Sequence, residues 1–339
     1  AKYGGLQMTN LQAAKEVVQR FQTSIAAESV QPEETMARFC TSDMIWRGYH
    51  PFGLLDADTA AQRFWAPLRD SFTSLQIRED VFFAGDNEID GYASQWVVSM
   101  GHFMGLFDAP WLGIPPTGKM AFLRYCAFYR VEGGRIHETT LYFDIPQVMV
   151  QAGLTPFPVQ TGAQLVQPGP LTHDGLLHSP QPADETTKTL KLVNAMCTDL
   201  GTWQSALPLQ DELRRTWAED MIWWGPTGIG ASYTIPRYAE QHSGPFRAAF
   251  TDRSPTNHIA RLAEGAYAGF FGWPNFTARH TGGFMGMPGS DQIGEFRVID
   301  IYRREGDKLA ENWVFIDLLH FWCTQGVDIL ARTTEIATR

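Results

Sequence analysis

An internal repeat constrains this chain more than any other feature. Asp43-Met44-Ile45-Trp46 recurs 177 residues later as Asp220-Met221-Ile222-Trp223, and a glycine follows each copy, Gly48 and Gly225. Further along the spacing shortens to 173 residues. Gly113-Ile114-Pro115 then falls on Gly286-Met287-Pro288, Tyr129-Arg130 on Tyr302-Arg303, Glu138 on Glu311 and Asp144 on Asp317. Repeats of this length are long enough to bury a core each, so the expected organisation is a tandem pair of domains, 1–154 and 184–339, joined by a linker over 155–183. Pro156, Pro158, Pro168, Pro170, Pro180 and Pro182 punctuate the linker, which is almost without charge. It should run extended along the surface of one domain.

Within each copy the apolar spacing changes from a helical to a strand period. Val17, Phe21 and Ile25, and again Leu192, Met196 and Leu200, recur four apart, the stripe of an amphipathic helix, with Asn10 and Thr186 placed as caps. Residues 59–71 and 235–250 suggest a second helix in each copy. After these come runs rich in aromatic and β-branched residues, at 92–102, 119–131 and 135–144 and at 276–280, 294–303 and 309–317, which read as neighbouring strands of a large antiparallel sheet. Helices followed by long strands indicate an α+β class with helices on one face of a curved sheet.

Charge and motifs narrow the chemistry. With 27 basic and 37 acidic side chains, the net charge of −10 disfavours nucleic acid and anionic membrane as partners. No apolar run approaches the roughly 18 residues of a membrane helix, and AKYGGLQMTNLQAAKE lacks a signal-peptide core, so a cytoplasmic location is expected. Cys40, Cys126, Cys197 and Cys323 form no CxxC pair and read as free thiols. Phosphate-binding loops, a GxSxG elbow and an HExxH pair are missing, and the nine histidines are scattered. Carboxylate acid/base chemistry remains, with no metal and no cofactor expected.

Strand alternation then selects residues that share a face. On the last strand of copy two, Leu309, Glu311, Trp313, Phe315 and Asp317 lie together; the copy-one set is Ile136, Glu138, Thr140, Tyr142 and Asp144. Partial desolvation on an aromatic concave face would raise a carboxylate's pKa and make Asp144 and Asp317 general bases. The other reading is that both end their strands and cap the following helix. Glu138 and Glu311 are expected to pair with Arg124 and Arg297 one strand away. His102 and His280 point towards the same interior as catalysts or as hydrogen-bonded core residues. Trp46 and Trp223 serve either as core or as pocket lining.

Several strings resemble the SnoaL-like polyketide cyclase family of the nuclear transport factor 2-like superfamily. Gly113-Ile114-Pro115-Pro116-Thr117-Gly118-Lys119 is similar to its GxPPTGK turn, Gly133-Gly134-Arg135-Ile136 to its dGkI turn, and Ser71-Phe72 to Gly85-Asp86 to its afPDl…GD stretch. In copy two, Arg279 to Gly286 resembles GTHxGxFxG and Glu311 to Asp317 resembles ExWxxxD. Copy one departs at Thr140, in place of the motif's tryptophan, and in the extra Leu106–Leu112. Copy two replaces PPTGK with Pro288-Gly289-Ser290-Asp291-Gln292.

The resemblance implies two tandem cone-shaped domains, each a strongly curved sheet wrapped by helices around an apolar pocket. It implies that the aspartate closing ExWxxxD, Asp317 and by the repeat Asp144, is the general base of a cofactor-independent cyclase. The expected function is proton abstraction next to the carbonyl of a small apolar molecule. Asp317 would act with His280 or Arg297, and Asp144 with His102 and Arg124, in pockets lined by Trp46, Trp223, Glu138, Tyr142, Glu311 and Trp313. A non-catalytic protein that binds small hydrophobic ligands is the alternative, and a hydrolase or dehydratase with carboxylate-activated water is a second. Relatives pair through their open sheet faces, so the two copies are expected to form an intrachain pseudo-dimer, with further homo-oligomers open, and copy two is expected to be the active one.

Overall fold

Both copies of the repeat build the same sheet, and the differences between the two sheets trace to particular residues. The computed structural model describes residues 10–164, 166–203 and 206–337, so residues 1–9 of the opening segment lie outside the described residues. In domain 1, strands β1 (Cys40–Gly48), β2 (Gly53–Leu55), β3 (Phe72–Asp86), β4 (Gln95–Phe107), β5 (Met120–Glu132) and β6 (Arg135–Phe143) form one sheet in the order β2-β1-β6-β5-β4-β3. Every pair is antiparallel except β1 with β6.

Domain 2 has β7 (Trp217–Trp224), β8 (Ala231–Tyr233), β9 (Phe250–Thr251), β10 (Ala260–Glu264), β11 (Tyr267–Phe271), β12 (Phe276–His280), β13 (Ile293–Phe296), β14 (Val298–Glu305) and β15 (Lys308–Ile316). Their sheet order is β10-β11-β14-β15-β7-β8, with β13-β12-β9 as a second, smaller sheet. The positions of β4 and β5 are thus each split in two. At the split Pro274 has no N–H to donate, and the Asn275 side chain steps in, its Oδ1 accepting from Gly272 N at 3.0 Å and Val298 N at 2.8 Å.

Helices cover one face of each sheet. Asn10–Ala26 buries Ala14, Val18, Phe21 and Ile25, and Ala183–Thr202 buries Val193 and Met196, so the inward stripe sits one residue beyond Val17 and Leu192. Thr186 is not a cap. The helix begins at Ala183, and the Thr186 hydroxyl instead accepts from Gly265 N at 2.9 Å. A short helix, Pro32–Phe39 and Leu209–Arg214, comes second in each copy, and the helix expected over 59–71 and 235–250 contains a π turn, Ala61–Trp65 and Ala239–Ser243, followed two residues on by Pro67 and Pro245. A proline removes one backbone donor and crowds the carbonyl four residues back, which a widened turn relieves. No helix among the described residues is long and apolar enough to cross a membrane.

The other face of each sheet meets the other domain. Phe271 packs between Phe128 (ring centroids 5.1 Å apart) and Trp96 (5.5 Å), and the absence of a side chain on Gly269 lets the Phe128 ring approach β11. The Arg124 guanidinium reaches across to the Val314 carbonyl at 2.9 Å and lies 4.0 Å from the Phe315 ring centre.

Two carboxylates cross the seam reciprocally. Asp144 caps helix Ile145–Gln151 through Gln147 N, and its second oxygen accepts from Thr227 N of domain 2 at 2.9 Å. Asp317 caps helix Leu318–Thr324 through His320 N, and its second oxygen accepts from His50 N of domain 1 at 2.8 Å. His50 and Thr227 are themselves repeat equivalents, so the contact is isologous within one chain.

The linker lies across both domains rather than along one. Phe82 N donates to Gly175 O and Leu177 N to Phe82 O in domain 1. Ala163 bridges Ala231, and Trp313 Nε1 donates to Pro168 O, in domain 2.

Replacing Asp144 or Asp317 by alanine removes a cap and strands a half-buried N–H of the other domain. Each substitution is expected to cost about 2–4 kcal/mol, measured as a lowered urea midpoint, with asparagine costing less.

Candidate active site

The two domain interiors differ because the residues that fill the first are replaced in the second. In domain 1, Phe64 stacks on Phe143 (5.0 Å, 17°) and contacts Trp46 (5.4 Å), while Trp65 meets Phe103 (5.7 Å). If the two π turns are aligned, Phe64 corresponds to His242 and Trp65 to Ser243, and the 173-residue spacing matches Phe143 to Ile316. Three large rings thus give way to smaller groups. All three replacements line a cavity of about 100 Å³ in domain 2, with Trp217, Trp223 and Tyr238 among its other walls.

One carboxylic acid of β14 lies in this cavity. Asp300 pairs across to Val314 and is flanked on its own face by Val298 and Tyr302. Burial pushes its carboxyl up from the usual 3.8 to about 7, against hydrogen bonds from Asn312 and Tyr302 that pull it down. Asn312 of β15 is held by two bonds, its amide nitrogen donating to Asp300 Oδ1 at 3.1 Å and to Ile301 O at 3.0 Å. A carboxyl with a pKa near neutrality can accept and return a proton at neutral pH.

Unmet donors line the same cavity. Arg253 lies 5.4 Å from the Trp203 ring centre, and both Arg253 Nε and Trp203 Nε1 are buried with no partner among the described residues. Burial pushes Arg253 down to about 10, which leaves it a cation at neutral pH. His242 stacks on Trp223 (4.1 Å, 22°), and burial lowers it to about 3, so it is a neutral ring. Arg247 pairs with buried Glu212 at 2.7 Å. The cavity therefore holds a base and separate hydrogen-bond donors between aromatic walls.

Of the twelve site residues expected from the sequence, Trp223 alone lines this cavity. On β15 the cavity face is Asn312, Val314 and Ile316, so the parity chosen from the sequence is the reverse of the one observed. Glu311, Trp313, Phe315 and Asp317 face the linker and domain 1. Glu311 accepts from Arg303 Nε at 2.5 Å and from Leu171 N at 3.2 Å. Glu138 pairs with Arg130 at 3.1 Å and Arg47 at 2.7 Å. The glutamates thus pair with the arginines in direct register, not with Arg124 and Arg297. Tyr142 donates to Gly272 O across the seam at 3.0 Å, and Trp46 fills the domain 1 core.

The expected catalytic groups lie outside the cavity as well. Asp144 and Asp317 have both oxygens engaged by backbone N–H groups at the seam, and burial raises both, Asp317 to about 7. Arg124 spans the seam, and Arg297 lies 3.6 Å from the Trp273 ring centre. His280 is buried against Phe250 (5.1 Å), its Nδ1 3.2 Å from Gln325 Oε1. His102 faces the linker, its Nδ1 3.4 Å from Asp80.

Asp300, Asn312 and His242 were not singled out from the sequence, although the repeat carries a signal for one of them. Asp300 is the only charged residue in the run Val298–Tyr302 and falls on Ala127 of copy one, whereas Asn312 falls on Thr139, itself polar. A polar residue gained at a core position in one copy marks a position with a role other than packing.

The SnoaL-like polyketide cyclase family model matches residues 15–152 and 246–322, well over half of the chain and part of each domain. The chain belongs to this family. Solved structures similar to it include a SnoaL-like protein of Jannaschia sp. CCS1, at 19% identity over 43% of this chain and 96% of that one, with a TM-score of 0.36. Another is IdmH of Streptomyces antibioticus, at 17% identity over 42% and 99%, with a TM-score of 0.35. No curated protein matches the chain. As a SnoaL-like protein with both sheets in one polypeptide, it carries the family's α+β fold twice, and the family supports a function of the cyclase or isomerase type.

The raised carboxyl has a consequence for stability. Folded Asp300 holds its proton more tightly than unfolded Asp300, so its contribution is fully present below about pH 4 and is lost as pH rises through about 7. Urea unfolding of wild type and Asp300→Asn should therefore show wild type losing up to about 4 kcal/mol relative to the variant between pH 4 and 9.

Proposed function

We propose that the domain 2 cavity abstracts a proton from the carbon next to a carbonyl of a small apolar substrate, with Asp300 as general base. The observation that carries this reading is the buried Asp300 carboxyl, raised to about 7 and held by Asn312 inside the cavity. Asn312 fixes the carboxyl's orientation, and Tyr302 beside it adds a second hydrogen bond to the carboxylate. Arg253 and Trp203 supply the unmet donors for the carbonyl oxygen, whose charge grows as the proton leaves. The same step begins an isomerisation, if the proton returns elsewhere, or an aldol cyclisation, if the enolate attacks a second carbonyl of the same molecule.

Size narrows the substrate. At about 100 Å³ the cavity is smaller than the roughly 150 Å³ apolar cavity that accommodates benzene. Compounds smaller than one ring fit it as it stands, and ring-bearing substrates need it to open. The filled interior of domain 1 and its contacts across the seam give that copy a supporting role.

Deuterium exchange at the α-carbon of cyclic ketones and short diketones, followed by NMR, tests the assignment. Wild type should catalyse exchange with a rate that rises with pH through about 7. Asp300→Asn should bind the same ligands and lose about 10²–10⁴-fold in exchange. Asp317→Asn should retain exchange. Binding without exchange in wild type would favour a ligand-binding protein, and exchange lost in Asp317→Asn but kept in Asp300→Asn would return the base to the seam.

A further inference from the structure

A second cluster of reactive side chains lies at the seam, away from the cavity. His50 follows β1 in domain 1, and its backbone N–H is tied to Asp317. Cys323 is on helix Leu318–Thr324 of domain 2, and Asp328 follows that helix. One nitrogen, one sulfur and one carboxylate oxygen from these three residues lie within 4.8 Å of one another. We propose that His50, Cys323 and Asp328 bind a zinc ion that clamps the two domains, with water completing a tetrahedral shell.

The spacing of the donors suits an ion before any is added. Zinc bonds of about 2.3 Å to sulfur and about 2.0–2.1 Å to nitrogen, at tetrahedral angles, put the two donors about 3.6 Å apart. Cys323 Sγ lies 3.7 Å from His50 Nε2 and 4.0 Å from Nδ1, so the separation matches, and the ring has to rotate to turn a nitrogen lone pair towards the ion. Asp328 is positioned through one oxygen, Oδ1, which accepts from Ala331 N at 2.9 Å at the start of helix Ile329–Ala337, leaving its other oxygen for the ion. Asp328 is exposed while His50 and Cys323 are half-buried, so the ion has a route in and a wet fourth position.

The donor set also selects the metal. Thiolate and imidazole favour zinc over magnesium or calcium, which prefer all-oxygen shells. One thiolate and one carboxylate against a divalent cation make a neutral site, suited to a half-buried seam. Without an ion the pair is not an activated thiolate–imidazolium, because burial pushes the Cys323 thiol up to about 11 and the His50 ring down.

Comparison of the two copies supports a built site. By the repeat, His50 corresponds to Thr227, Cys323 to Val150 and Asp328 to Thr155. Those three residues line one surface pocket, so the pseudo-symmetric spot exists and lacks all three ligands. The ligand types therefore occur together on one side of the seam and together are missing from the other.

Metal-stripped full-length protein, titrated with Zn²⁺ against a chromophoric chelator and separately with Co²⁺, tests this. The expected result is one ion per chain, a tetrahedral cobalt spectrum with a thiolate-to-cobalt charge-transfer band, and a higher Tm with zinc. Cys323→Ser should lose the charge-transfer band and the Tm shift, and His50→Ala should bind at least about 10²-fold more weakly. Asp328→Asn, which can still cap its helix, should weaken binding while keeping the unliganded Tm close to wild type. Absence of stoichiometric binding to wild type would overturn the proposal. A charge-transfer band that survives in Cys323→Ser would also overturn it, by placing the metal on another thiol. Neither outcome touches the Asp300 assignment, which is read by ligand exchange at a separate site.

Discussion

The reciprocal carboxylate contact at the seam is the interaction on which the rest of this structure depends. Each of Asp144 and Asp317 satisfies two orphan N–H groups, one at the start of its own helix and one in the opposite domain. Buried backbone donors must find partners, and here each domain supplies the acceptor for the other. Both carboxylates, after burial itself, also hold the Tyr49 hydroxyl well above its usual range. The cost of burying the two acids is offset by the hydrogen bonds they accept. The linker, bonded to both sheets, holds the same arrangement from outside.

The two copies differ at the positions that fill one interior and leave space in the other. Copy one has its interior filled with Phe64, Trp65 and Phe143, and copy two has space beside His242, Ser243 and Ile316 and carries Asp300 and Asn312 there. The ligand cluster at His50, Cys323 and Asp328 shows the same divergence at the seam, on one side of a pseudo-twofold contact.

Much of the fold was legible in the sequence. The repeat appears as two like sheets and the long strands fall close to where periodicity put them, because periodicity and turn chemistry are local properties. Strands β1 and β2 and the short helices Pro32–Phe39 and Leu209–Arg214 were not expected, and the linker crosses both domains instead of following one. The site was less legible. Alternation along β15 correctly grouped Glu311 with Trp313, Phe315 and Asp317, but both faces of this sheet are buried, one against helices and one against the other domain. An apolar strand with two buried faces gives no contrast by which to tell the cavity from the seam. The cap reading of Asp144 and Asp317 and their motif position were both visible, yet their cross-domain partners Thr227 and His50 were not.

The sequence by itself determined that the chain carries two copies of one α+β domain, and which residues of each strand share a face. Those properties follow from the repeat and from the geometry of neighbouring residues. Only the tertiary structure decided which face encloses a cavity, which carboxylic acids line it, and that His50 meets Cys323 from 273 residues away. These depend on how the two sheets pack against each other, and that packing is set by contacts between residues far apart in the chain.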